Sequence, residues 1–354
     1  MISSPHEIFT GYWGNNHCQG IAVDKKQGYL YVSFTTLLLK LDLQGNLIGF
    51  VDGLVGHLGC IALNENYVKV YGSLEFKNDI IGRSVRKNLG VEHEHPNVFY
   101  TAIFDVDKID RPGMSAEQDD VMRTVCLQDV ATLYNDTVTI DGKQYEHRYG
   151  VTGIDGCSFG KLPGGQDEKE YLLVCSGCAS DVDRPDNDYQ TIAVYDTTDW
   201  WDTYGKPLDQ HAMHQSGPET PLSRYFLYTG NTRWGIQNFV FHPETGDYYA
   251  TVYRGLKPQF PNYDMFVIDG AVPPKNTLHY FLQEPILEVS LKNVGQEQNG
   301  ISGYYFPYGA MGMEPLSGDL FYIAEGGKND NGNFATIRLY RKTNDPAAPF
   351  VPVE

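Results

Sequence analysis

Residues 19–34, QGIAVDKKQGYLYVSF, read as a strand of small residues, a turn containing glycine, and a second strand rich in Tyr and Val. The same phrase returns four more times. The copies are LGCIALNENYVKVYGSL from Leu58, DGCSFGKLPGGQDEKEYLLVCS from Asp155, IQNFVFHPETGDYYATVYRG from Ile236 and GAMGMEPLSGDLFYIAEGG from Gly309. A strand pair repeated this way predicts a radial array of antiparallel sheets, here an all-β, five-bladed β-propeller. A sixth or seventh blade, hidden in the long stretch 75–150, is the alternative.

Each blade is expected to hold four strands. Blade one fits in 19–51, with LLLKLDLQGNLIGFVD as its outer hairpin. Blade two takes 58–128, blade three 155–229 and blade four 236–291, the last with YDMFVID and PILEVSL outside. Blade five starts at 309 and has only three strands before the C-terminus. The unassigned N-terminal HEIFTGYW therefore supplies its outer strand and closes the ring, since an open edge leaves backbone groups unpaired. No linker interrupts the repeats, so residues 1–354 read as one domain.

The net charge of −18 argues against a nucleic-acid partner, which needs a basic surface. No apolar run is long enough to span a bilayer. MISSPHEIF lacks the basic-then-apolar pattern of a secretory leader. A cytoplasmic protein is expected, with a mature secreted form as the alternative. The six cysteines sit mostly beside small-residue strands and are expected to be free thiols.

A propeller collects the loops that enter its inner strands around one central pit. Those loops read NNHCQG, VGHLGC, VTGIDG, NTRWGIQ and FPYGAMG. His17 and His57 hold matching positions in blades one and two. They are expected to act as an acid or base, or to ligate a divalent ion such as Ca, Zn or Mn. The bland alternative is that each staples a loop. Asp155 holds the equivalent place in blade three, as a catalytic group, a third ligand or a turn stabiliser. Arg233 suits capture of a carboxylate and Trp234 a stacked sugar, with Asn231 and Gln237 as neutral partners. Tyr308 is blade five's contribution. The loops after the second strands add Glu75, Lys77 and Arg254, and cations in an acidic chain suggest a small anionic substrate.

GIAVDKKQGYLYVSF followed by LLLKLDLQGNLIG resembles the repeat of NHL- and lactonase-type propellers. By residue type and position, the predicted His, Arg and Tyr loosely resemble the centres of propeller-fold polysaccharide lyases and rhamnosidases. The chain also resembles a poorly characterised group of bacterial propeller proteins. The first expectation is therefore a carbohydrate-active enzyme cleaving an acidic, uronate-containing oligosaccharide by β-elimination or glycosidic cleavage. In it Arg233 holds the carboxylate, His17 or His57 takes the proton and Tyr308 assists the leaving oxygen. For hydrolysis the paired carboxylates are Asp155 with Glu75 or Glu325. A metal-dependent hydrolase of lactones or phosphoesters and a non-catalytic binding propeller are the alternatives.

Overall fold

The computed structural model describes residues 5–354 as five mainly antiparallel sheets set in a ring, with two small hairpin sheets and few helices. Residues 1–4, where the stretch read for a leader begins, lie outside the described residues. Blade one runs outward through Cys18–Asp24, Tyr29–Phe34, Leu37–Asp42 and Leu47–Asp52. Blade two runs through His57–Asn64, Lys69–Phe76, Val98–Phe104 and Met122–Cys126. The turn in each repeat is built locally. Asp24 accepts backbone N–H groups of Lys26 and Gln27, and Asn64 does the same for Asn66 and Tyr67.

Blade three is Val151–Gly160, Tyr171–Cys178, Tyr189–Tyr195 and Ser223–Tyr228. It corrects one expectation: Pro285–Glu288, expected at the outside of blade four, pairs parallel with Ser223–Tyr228 of blade three. Blade four is left with Arg233–Phe241, Tyr248–Tyr253 and Met265–Ile268. Its fourth position is filled only by single bridges, Met265 to Tyr304 and Ile268 to Leu291. Blade five has Met313–Ser317, Leu320–Asn329 and Gly332–Lys342. Glu7–Phe9 pairs antiparallel with Gly332–Lys342 and closes the ring from the N-terminal side, as the sequence predicts. Ile8, only 1 % exposed, is locked into the core there, with Leu339 and Val23 in the same cluster.

Residues 75–150 hold no sixth blade. The connection after the second strand of blade two is a helix, Ile80–Leu89. Asp79 caps it by accepting the Gly82 N–H, and Gly90 ends it in the left-handed conformation. A second helix, Gln128–Asn135, and the hairpin Thr137–Ile140 with Lys143–Glu146 fill the link to blade three. Among the described residues no helix is long and apolar enough to cross a membrane.

The core lies between blades, where Tyr71 of blade two meets Phe159 of blade three edge to face at 4.9 Å. Inner strands crowd one another. A Cβ on Gly156 of blade three would lie 2.9 Å from the Ile236 carbonyl oxygen of blade four, so only glycine fits. All six cysteines are buried free thiols.

Candidate functional site

The inner strands start around a central cavity of 280 Å³, walled by side chains from all five blades. Their ladders slip where they meet it. Register shifts fall between Cys18 and Gly20, Leu58 and Ile61, and Ile154 and Cys157. Such bulges re-aim side chains, and the third of them carries Asp155.

The charged centre comes from blades two and three. Glu75, at the end of the second strand of blade two, is 5 % exposed. Its Oε1 lies 2.6 Å from Lys77 Nζ, and its Oε2 accepts the Ile154 N–H at 3.0 Å. Gly153 makes this approach possible. Its φ is +146°, and a Cβ there would run into Glu75 Oε2. Lys77 also reaches Asp79 at 3.2 Å and donates to the Thr152 carbonyl at 2.9 Å. Burial works to lower the Lys77 pKa, but the charges of Glu75 and Asp79 outweigh it and hold the ammonium above its ordinary value. Burial pushes the Glu75 carboxyl up, and Lys77 opposes that push. With an ammonium at 2.6 Å and a backbone N–H on the other oxygen, we take the ionised carboxylate as the resting form.

Asp155 differs from its neighbour. It is 9 % exposed, and its buried Oδ1 has no hydrogen-bond partner. Burial, then the charge of Glu75, then Cys60 push its pKa well above the ordinary carboxyl value. One cavity thus holds a carboxyl tied to an ammonium and a second carboxyl driven towards its neutral form.

His57 and His17 share this cavity. His57 Nδ1 is 3.9 Å from Glu75 Oε1, beyond hydrogen-bond reach, and is buried without a partner. Burial first, then Lys77, lower its pKa to about 4. His17 is lowered too, by burial and by Lys328. Neutral imidazole with so low a pKa is a weak base near neutrality. Among the described residues, no three His, Cys, Asp or Glu side chains are gathered in a way that could hold a metal ion. Lys77 already occupies the cationic position beside Glu75.

The His57 pKa has a consequence for stability. Between its unfolded value of 6.5 and its folded value of about 4, the unfolded chain holds a proton that the folded chain does not. Stability therefore falls as pH drops through that window, by on the order of 3 kcal/mol from this group if its shift is realised in full. Urea unfolding at pH 7 and pH 4.5 is expected to show a smaller acid loss for His57→Gln than for wild type. Equal losses would mean that His57 titrates normally.

Trp234 and Gln237 line the cavity from blade four. Trp234 is 38 % exposed at φ +71°, a conformation rare for a bulky side chain, and the next residue, Gly235, is also left-handed. Such strain is retained where the surroundings dictate it, here placing the indole at the rim. The other expected residues lie elsewhere. Arg233 is exposed and outside the lining. Asn231 is 2 % exposed and donates to the Ala179 carbonyl, a structural bond. Tyr308 lines a separate 170 Å³ hollow with Arg254. Arg254 is gripped through two 2.6 Å bonds by Asp264 and stacks on Tyr305, so its charge is already answered. Glu325 is held by Tyr340 and Arg338. Asp79, two residues along from Lys77, and Thr152, brought to it by the docking of blade three, complete this centre and belong to no motif in the sequence.

No family model matches the chain, and no curated protein matches it. Solved structures similar to it are propeller proteins at low identity. A GH43 β-1,3-galactosidase with galactodeoxynojirimycin is 10 % identical over 95 % of this chain and 96 % of that one, with a TM-score of 0.42. A protein of unknown function from Bacteroides caccae is 10 % identical over 99 % and 94 %, with a TM-score of 0.37. The PQQ domain of pyranose dehydrogenase from Coprinopsis cinerea is 12 % identical over 90 % and 81 %, with a TM-score of 0.34. At these values the similarities carry no argument about chemistry.

Proposed function

We propose that the central cavity is the active site of an enzyme that hydrolyses glycosidic bonds, with Asp155 as the acid and Glu75 as the base. The observation that carries this is a pair of carboxyls in one cavity with unlike surroundings: Glu75 is bound to the Lys77 ammonium and the Ile154 N–H, whereas Asp155 is buried with an unpartnered oxygen. The Asp155 carboxyl gives its proton to the glycosidic oxygen as the bond to the anomeric carbon breaks. Glu75 takes a proton from the water whose oxygen bonds to that carbon. One water is consumed, and two hydroxyl-bearing products leave. Lys77 and the Ile154 N–H hold Glu75 in place, and the Trp234 face offers a stacking surface to a sugar ring.

β-Elimination is less well supported. The Arg233 and Tyr308 expected for it lie outside the cavity lining, and the low pKa of His57 makes it a poor proton acceptor. The test is incubation with a panel of neutral and acidic oligosaccharides, following new reducing ends and ultraviolet absorbance together. Reducing ends without an unsaturated product support hydrolysis. An unsaturated product, or no product from any glycan, contradicts it.

A further inference from the structure

The pit does not end at His17. A second hollow of 240 Å³ adjoins it between blades five and one, and the two share His17, Cys18 and Met311 as walls. Its far side is the hairpin of blade five. That ladder runs from Leu320 paired with Arg341 to Asn329 paired with Gly332, whereas the inner strand pairs only with residues 320–323. The tip, 326–333, therefore extends past the inner strand and stands as a wall. The N-terminal arm braces it, through the Asn333 N–H to the Gly14 carbonyl at 2.8 Å.

The lining of this hollow has the chemistry of a binding site. Phe334 lies against the backbone of Gly327, where any Cβ would strike its ring. Phe9 and Tyr12 pack on the same ring, each at 5.6 Å, and both are 43 % exposed. Asn333 is 3 % exposed and its buried Nδ2 has no partner. Lys328 is exposed, and among the described residues no carboxylate pairs with it. Its charge is felt at His17, on the boundary with the pit. The lining thus carries one full charge, which is positive, in a chain of net charge −18. An aromatic face, an unpartnered amide and a free ammonium together match a sugar ring bearing an anionic group.

We infer that this hollow is a second saccharide subsite that takes an anionic sugar unit at Lys328, so that the substrate is an acidic oligosaccharide lying across His17. This rests on the glycosidase reading of the pit for its substrate class. The Lys328 ammonium pairs with a carboxylate or sulfate on the sugar, and the Phe334 ring packs against the sugar ring.

The experiment is calorimetric titration of wild type, Lys328→Ala, Lys328→Arg and Phe334→Ala. The probes are oligogalacturonides, sulfated chondroitin oligosaccharides and neutral xylo- and galacto-oligosaccharides of two to four units. Wild type is expected to prefer one of the acidic sets. Lys328→Ala should weaken that binding about tenfold, and Lys328→Arg should restore most of it. Which acidic set is bound identifies the group as carboxylate or sulfate. Equal binding by Lys328→Ala, or a preference for neutral glycans, overturns the subsite while leaving the glycosidase reading standing. No binding of any glycan by wild type overturns both.

Discussion

Asp155→Asn is expected to lower turnover by about 10²–10⁴-fold while the ring stays folded. The amide keeps the shape of the side chain but cannot give a proton to a leaving oxygen. Asp155 sits on a bulge whose Oδ1 makes no hydrogen bond, so the substitution breaks no bond to that atom. Folding near neutral pH should even gain slightly, because the ionised Asp155 of the unfolded chain must take up a proton on burial and an Asn need not. The check is kcat on the substrate found by glycan screening, with circular dichroism and urea unfolding alongside. A variant that keeps full kcat would remove Asp155 from the chemistry.

The largest stability effect is expected at Lys77. Its ammonium meets Glu75, Asp79 and the Thr152 carbonyl, with a side chain only 8 % exposed. Lys77→Met would leave a buried carboxylate without its cation, which costs about 3–5 kcal/mol when one partner of a buried pair is removed. Glu75→Gln is milder, because Lys77 still has Asp79 and Thr152. The double variant Glu75→Gln with Lys77→Met should be more stable than Lys77→Met alone, since the orphaned charge is gone. Urea unfolding of the four proteins measures the coupling. Additive losses would mean that the pair does not interact in the folded state.

Most of the ring was legible because the repeated phrase encodes its own turns. Asp24 and Asn64 occupy equivalent places and fold their turns through the same backbone contacts. The closing strand followed from counting, since blade five lacked a strand and residues 6–13 were unassigned. The outer edge of blade four was not legible. PILEVSL has the pattern of an outer strand, but nothing in its pattern says that it will split, with Pro285–Glu288 joining blade three and Leu291 bridging to Ile268 of blade four. The helix Ile80–Leu89 had a readable start and stop in Asp79 and Gly90, yet the stretch reads first as a polar loop.

The candidate site divides in the same way. His17, His57, Asp155, Trp234 and Gln237 line the cavity because inner-strand entry is a position the repeat defines. Glu75 and Lys77 line it because second strands end on the same face. Side-chain direction was the part out of reach. Arg233 and Trp234 are neighbours, but the left-handed backbone at Trp234 brings the indole into the lining and leaves the guanidinium outside it. The ion pairing of Arg254 with Asp264 was equally invisible, because the partner is ten residues away across the loop that joins two strands.

Hydrolysis by this pair requires a protonated Asp155 beside an ionised Glu75. The most direct measurement is a pH titration of the Asp155 carboxyl carbon by NMR, assigned by comparison with Asp155→Asn and repeated in Glu75→Gln. An Asp155 carboxyl that ionises well above the ordinary carboxyl range is expected in the wild type, with a lower pKa once the Glu75 charge is removed. A carboxyl that ionises near the ordinary value of about 4, with no change in Glu75→Gln, would contradict it.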